Sequence, residues 1–163
     1  MIVSMRKKII IGVIGAGNAS SSGLDSAYQV GRLIAEKGAV LICGGLGGVM
    51  EAASRGCAEA GADVLGILPG DSADAANPYV SLPIVTAMGH ARNVIIAQTA
   101  DALIAIEGEY GTLSEIAIGL KLGKPVVQLD SWPQISASYQ AENPGQAVDM
   151  IFSAIHEGRI DNE

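Results

Sequence analysis

Apolar residues in this chain come in short unbroken runs, and between the runs they recur every three to four positions. The first run, residues 8–14 (KIIIGVI), shows no polar alternation, which is the pattern of a strand covered on both faces. Residues 24–37 switch to helical spacing, with Leu24, Ala27, Val30 and Ile34 on one stripe and Gly38 as the stop. A strand at 39–43, a helix at 49–60 closed by Gly61, and a strand at 63–68 broken by Pro69-Gly70 come next. Residues 71–80 read as a polar loop, and 82–88 contain a shorter strand. Helix 90–99, strand 101–106, helix 111–122 and strand 125–129 follow. Residues 131–143, with Trp132, show no period. Asn143 and Pro144 then cap and open a last helix with Val148, Ile151 and Ile155 on its buried stripe.

Buried strands alternating with helices predict an α/β fold, a doubly wound parallel (Rossmann-like) sheet, as a single domain over residues 1–163. In helix 111–122 the stripe Leu113, Ile116, Ala117 and Leu120 is expected to face the sheet. Ile118 and Leu122 lie on another side together with Glu115, and helix 90–99 is apolar nearly all round. Two helices with two apolar sides predict a homodimer or homotetramer packed through 90–99 and 111–122, with Arg92 and Glu115 at its edge.

Composition narrows the functions. A formal charge of −7, with Arg6-Lys7-Lys8 as the one basic run, argues against nucleic acid as a partner. Cys43 and Cys57 fall in apolar elements and read as buried thiols; His90 and His156 are far apart, so no structural metal is expected. The apolar stretch after the basic run is too short for a membrane span and reads as the first strand, which predicts a cytoplasmic protein with no membrane partner.

Candidate chemistry lies in the loops that follow strands, where doubly wound folds bind ligands. Three are glycine- or serine-rich: Gly15 to Gly23, Gly44 to Gly48, and Gly108 to Thr112. Such loops bring backbone N–H groups close to an anion. The expected contacts are Gly15, Gly17, Ser20, Ser21, Gly44, Gly45, Gly47, Gly48, Gly108, Gly111 and Thr112, with Met88 and Arg92 from MGHARN and Glu115 from the following helix. The first loop is not the full dinucleotide fingerprint, because Ser20 stands at its third glycine. Glu107 and Glu109 would repel a phosphate placed directly on them and are expected to face ribose hydroxyls, solvent or a cation. His90 is expected to cap a helix or to line a polar rim.

The segments ICGGLGGVMEAASRGCAEAGADVLGILPG and GHARN…DALIAIEGEYGTLSEIAIGLKLGKPVV, in this order, resemble the Lonely Guy superfamily, once labelled lysine decarboxylase-like. The resemblance covers roughly residues 8–130. Its cytokinin-activating branch hydrolyses the N-glycosidic bond of N6-modified AMP and carries P-G-G-x-G-T-x-x-E with an upstream arginine. Here Gly108, Gly111, Thr112, Glu115 and Arg92 match; Glu107 replaces the proline, Glu109 a glycine, and Asn93 a lysine. These departures look more like the molybdenum cofactor carrier proteins, which are implied to bind a phosphate-bearing pterin without turning it over. No pyridoxal phosphate is expected, because Lys121 and Lys124 sit at a helix end. Two readings stay open. One is a carrier or storage protein for molybdenum cofactor (molybdopterin). The other is a nucleoside 5′-monophosphate phosphoribohydrolase in which Arg92 holds the phosphate and Glu115 stabilises an oxocarbenium-like state.

Overall fold

In a computed structural model, residues 7–160 are described. Arg6, part of the basic run, lies outside them. The strands are β1 (Ile10–Gly15), β2 (Val40–Cys43), β3 (Val64–Leu68), β4 (Leu82–Val85), β5 (Ala102–Ile106), β6 (Val126–Leu129) and β7 (Tyr139–Gln140). They form one sheet in the order β4-β3-β2-β1-β5-β6-β7, with every pairing parallel. The helices are α1 (Ser21–Glu36), α2 (Val49–Glu59), α3 (Arg92–Thr99), α4 (Tyr110–Lys121) and α5 (Pro144–Ile160).

The unbroken apolar runs became buried strands because helices cover the sheet on both sides. One core packs α1, α2 and α5 residues such as Val30, Ala53 and Ile151 on Ile11, Leu41 and Ile104. The other packs Ile96 of α3 and Ile116 of α4 on Ile14, Ile42 and Leu103. This is the doubly wound architecture. Among the described residues no helix is long and apolar enough to cross a membrane.

Four expectations need correction. Helix α1 begins at Ser21, three residues early, because the Ser20 hydroxyl accepts from Gly23 N and caps it. Leu24 is consequently left exposed, and Gly23 and Gly31 join the buried stripe. In α4 the sheet-facing residues are Thr112, Glu115, Ile116 and Gly119, one position round from the expected stripe; Ala117 is exposed. In α3, likewise, polar Arg92 and Asn93 are buried while Val94 is exposed, and Glu115 is buried near Arg92 and not at an outer edge. Finally, residues 131–143 contain β7. Gln128, fully buried on β6, pins that segment by donating to Trp132 O at 2.9 Å and accepting from Trp132 N.

Helices α1 and α2 approach through glycine. A Cβ on Gly31 would come 2.0 Å from Ala53 O, and one on Gly56 would come 2.0 Å from Tyr28 O. Backbone cannot yield as a flexible side chain would. Gly31→Ala is therefore expected to destabilise by about 3 kcal/mol or more, the scale of an overpacked core. A denaturant midpoint within experimental error of the parent would contradict this contact.

Candidate functional site

From β1 the chain winds outward through β2, β3 and β4, then crosses back to pair β5 with the other side of β1. The carboxyl ends of β1 and β5 therefore flank the topological switch point, where ligands bind in such sheets. A cavity of about 570 Å³ opens there, within the range of small-molecule sites. Other hollows are larger. The one beside α5, about 630 Å³, has no Lys, Arg or His in its lining among the described residues. Another, about 720 Å³, lies at the amino-terminal ends of β5 and β6, where Lys124 donates to the carbonyls of Ala97, Gln98 and Ala100.

The switch-point cavity brings together Gly15, Gly17, Gly44, Arg92, Gly108, Gly111, Thr112 and Glu115. Helix α4 starts at its wall, and Glu109, the residue before it, makes no side-chain cap. The first-turn amides of α4 and its dipole are thus turned on the cavity without a protein anion to cap them. Arg92 adds a full positive charge. Its Nε donates to Ile67 O at 2.8 Å and its Nη2 to Gly44 O at 3.5 Å, while Nη1 donates to Asn93 Oδ1. Gly44 makes room for it, since a Cβ there would meet Nη2 at 2.6 Å.

Glu115 is 7% exposed, and no hydrogen bond or direct ion pair to its carboxyl is found among the described residues. Burial pushes its carboxyl up to about 8, and the Arg92 guanidinium pulls in the opposite direction. Arg92 itself is lowered by burial. At neutral pH Glu115 is consequently mostly a neutral acid, which offers a hydrogen-bond donor and does not repel an anion.

The remaining expected contacts lie elsewhere. Ser20, Ser21, Gly45, Gly47, Gly48 and Met88 do not line the cavity. Ser20 caps α1, and Ser21 is exposed on its first turn. Gly45 packs on Leu68 and Gly66, and Gly48 lies so close to the carbonyls of Ala16 and Gly17 that a Cβ would meet them at 2.3–2.4 Å. Met88 is exposed ahead of a one-turn 3-10 helix. Glu107 is half-buried on the cavity wall, and its carboxylate accepts from Ser20 N at 3.0 Å and from the Ser20 hydroxyl.

Some residues were not singled out beforehand: Asn18, Leu46 and Met50 also line the cavity. His90, expected to cap a helix or to line a polar rim, stands on the cavity wall with Asn93 and Glu109. Asn77, buried in the 71–80 loop, donates its backbone N–H to Gly45 O at 2.8 Å and its side chain to Leu46 O at 3.0 Å, which clamps the second glycine loop. A lone asparagine in a polar stretch carries no signal of that role. Trp132 packs its ring 5.9 Å from Tyr110 at the start of α4.

The SLOG cluster4 family model matches residues 8–155. An uncharacterized protein of Archaeoglobus fulgidus is 50% identical over 148 residues, 91% of this chain and 97% of that one. A cytokinin riboside 5′-monophosphate phosphoribohydrolase of Oryza sativa is 31% identical over 114 residues, 68% of this chain and 47% of that one. Among solved structures, the molybdenum cofactor binding protein from Rippkaea orientalis superposes with a TM-score of 0.88 at 38% identity, covering 93% of this chain and 99% of that one. The molybdenum cofactor carrier protein from Chlamydomonas reinhardtii gives 0.82 at 33% identity, covering 92% and 99%.

Proposed function

This chain belongs to the SLOG cluster4 family of the Lonely Guy superfamily, and from that premise we propose that it binds a phosphate-bearing pterin, molybdenum cofactor, as a carrier or storage protein. One observation carries the reading: an uncapped α4 N-terminus, the Arg92 guanidinium and the buried Glu115 carboxyl meet in one switch-point cavity. The phosphate sits on the amides of Gly111 and Thr112, with Arg92 as counter-charge. The heterocycle lies over the strand ends. The groups at the α4 start suit that cargo, because the Gly111 and Thr112 amides, Arg92 and a protonated Glu115 are dipolar, cationic or neutral, while the carboxylates of Glu107 and Glu109 bound the site on the same wall. The likeness to two molybdenum cofactor proteins over nearly their whole length supports the same reading. Residues 1–163 act as one cofactor-binding domain. A homodimer or homotetramer through α3 and α4 belongs to the proposal, since Val94 on α3 and Leu122 just past the end of α4 leave apolar surface exposed.

A second reading is favoured by a specific pair. Arg92 and Glu115 of the phosphoribohydrolase hallmark stand in the same cavity, and an acid near 8 can protonate a leaving base.

The test is retention of molybdenum cofactor after gel filtration, expected at one per chain. Gly111 has open space where a Cβ would go, so Gly111→Glu is expected to fold while placing a carboxylate over the α4 N-terminus. Retention should drop by roughly tenfold or more, the worth of a lost charge-assisted contact. No retention by the parent protein, with free base released from N6-substituted AMP, would move the assignment to the hydrolase.

A further inference from the structure

The first strand-to-helix turn of a dinucleotide-binding fold carries a pyrophosphate on the N-terminus of its helix. In this chain that position is already filled. Glu107, at the carboxyl end of β5, reaches the start of α1. Its carboxylate takes the Ser20 backbone N–H at 3.0 Å and the Ser20 hydroxyl, and the same hydroxyl accepts from Gly23 N at 3.0 Å. Ser20 thus relays the positive end of α1 to a carboxylate. The space is shaped for it, since a Cβ on Gly23 would lie 2.4 Å from Glu107 Oε1.

The backbone is committed to this placement too. Glu107 has φ 51°, a left-handed conformation unusual for a residue with a side chain. It is held there by its N–H donating to Leu129 O at 3.0 Å and by Ser131 Oγ donating to its carbonyl. A proline could not take this angle. Glu107 also lines the switch-point cavity, as do Gly15, Ala16, Gly17 and Asn18 of the first loop. A second phosphate extending from the α4 start toward α1 would therefore meet a negative charge where an anion hole would otherwise be.

We infer that Glu107 is an internal anion that fills the α1 N-terminus and restricts the cavity to ligands bearing a single phosphate, excluding pyrophosphate-linked ones such as dinucleotides. This rests on the cavity being a phosphate site. Specificity arises here from a built-in repulsive element, in addition to the attraction at α4.

Amide NMR shifts on titration with inorganic phosphate and inorganic pyrophosphate test it. In the parent protein, Gly111 and Thr112 should respond and Ser20 to Gly23 should not. In Glu107→Gln the Ser20–Gly23 amides should respond to pyrophosphate. The preference for pyrophosphate over phosphate should then rise about tenfold, as one repulsion becomes an attraction. Glu107→Gly, which glycine tolerates at φ 51°, is the second variant should glutamine keep the site closed. Response of Ser20–Gly23 in the parent, or no gain at α1 in either variant, would overturn the inference. Silence at Gly111 and Thr112, with a gained response at α1 in the variants, would instead overturn the α4 phosphate site, and with it the single-phosphate restriction, while Glu107 would stand as the anion that fills the α1 N-terminus.

Discussion

Arg92→Ala is expected to lose about 2–3 kcal/mol of stability and roughly a hundredfold of affinity for a phosphate-bearing ligand. The two losses have different origins. Arg92 is 8% exposed, and its guanidinium donates to Ile67 O, Gly44 O and Asn93 Oδ1. Truncation strands these acceptors around a void, and each buried unsatisfied group costs about 1–3 kcal/mol. Water that enters from the cavity offsets part of this. The loss of affinity comes from removing the cavity's buried counter-charge for the phosphate. Arg92→Lys separates the two terms. It keeps a positive charge but not the planar fork that serves three acceptors at once. It is expected to recover part of the affinity and little of the stability. Chemical denaturation and calorimetric titration with AMP, run where each variant is folded, read the two quantities independently. Unchanged AMP affinity in Arg92→Ala, with measurable binding in the parent, would remove Arg92 from the phosphate site.

How far the sequence alone carries this site depends on where its residues sit. Strands β1, β2, β3, β5 and β6 were legible because burial on both faces leaves unbroken apolar runs at 8–14, 39–43, 63–68, 101–106 and 125–129. Helix α4 was legible as a helix, but its orientation was misjudged. Apolar periodicity assumes that buried means hydrophobic, and Thr112 and Glu115 are buried because they line the cavity. The error therefore falls on functional residues, where a polar group breaks the pattern that the core follows. Glycine was over-read as ligand contact. Gly48 and Gly45 serve close packing of backbone, and the sequence of a glycine loop does not distinguish the two uses. The partnership of Ser20 with Glu107 spans 87 positions and depends on β5 lying next to β1, so no local motif announces it. Strand β7 has two residues, both exposed, and leaves no apolar run to detect.

Glu115→Gln is expected to stabilise the folded protein, by a margin that grows with pH. The carboxyl ionises near 4.5 when unperturbed and is pushed up to about 8 in the fold. Between those values the folded state holds a proton that the unfolded state has released. Folding stability therefore falls as pH rises through this window and levels off above about 8. Each pKa unit corresponds to about 1.4 kcal/mol, so the penalty between pH 5 and 7.5 is on the order of 3 kcal/mol. Glutamine keeps the shape and a polar head without the charge. Its denaturation midpoint should match the parent near pH 5 and exceed it progressively toward pH 8. A constant difference across that range would mean that Glu115 titrates normally and is not the buried acid described above. Ligand binding follows from the same proton. A phosphate bound beside Glu115 favours the neutral acid further, so parent affinity should decline as pH passes 8, while the glutamine variant stays flat. The variant also divides the two functional readings. A carrier needs Glu115 neutral, and Glu115→Gln should still hold molybdenum cofactor. A hydrolase needs its proton or its charge, and the same variant would bind the nucleotide and release no base.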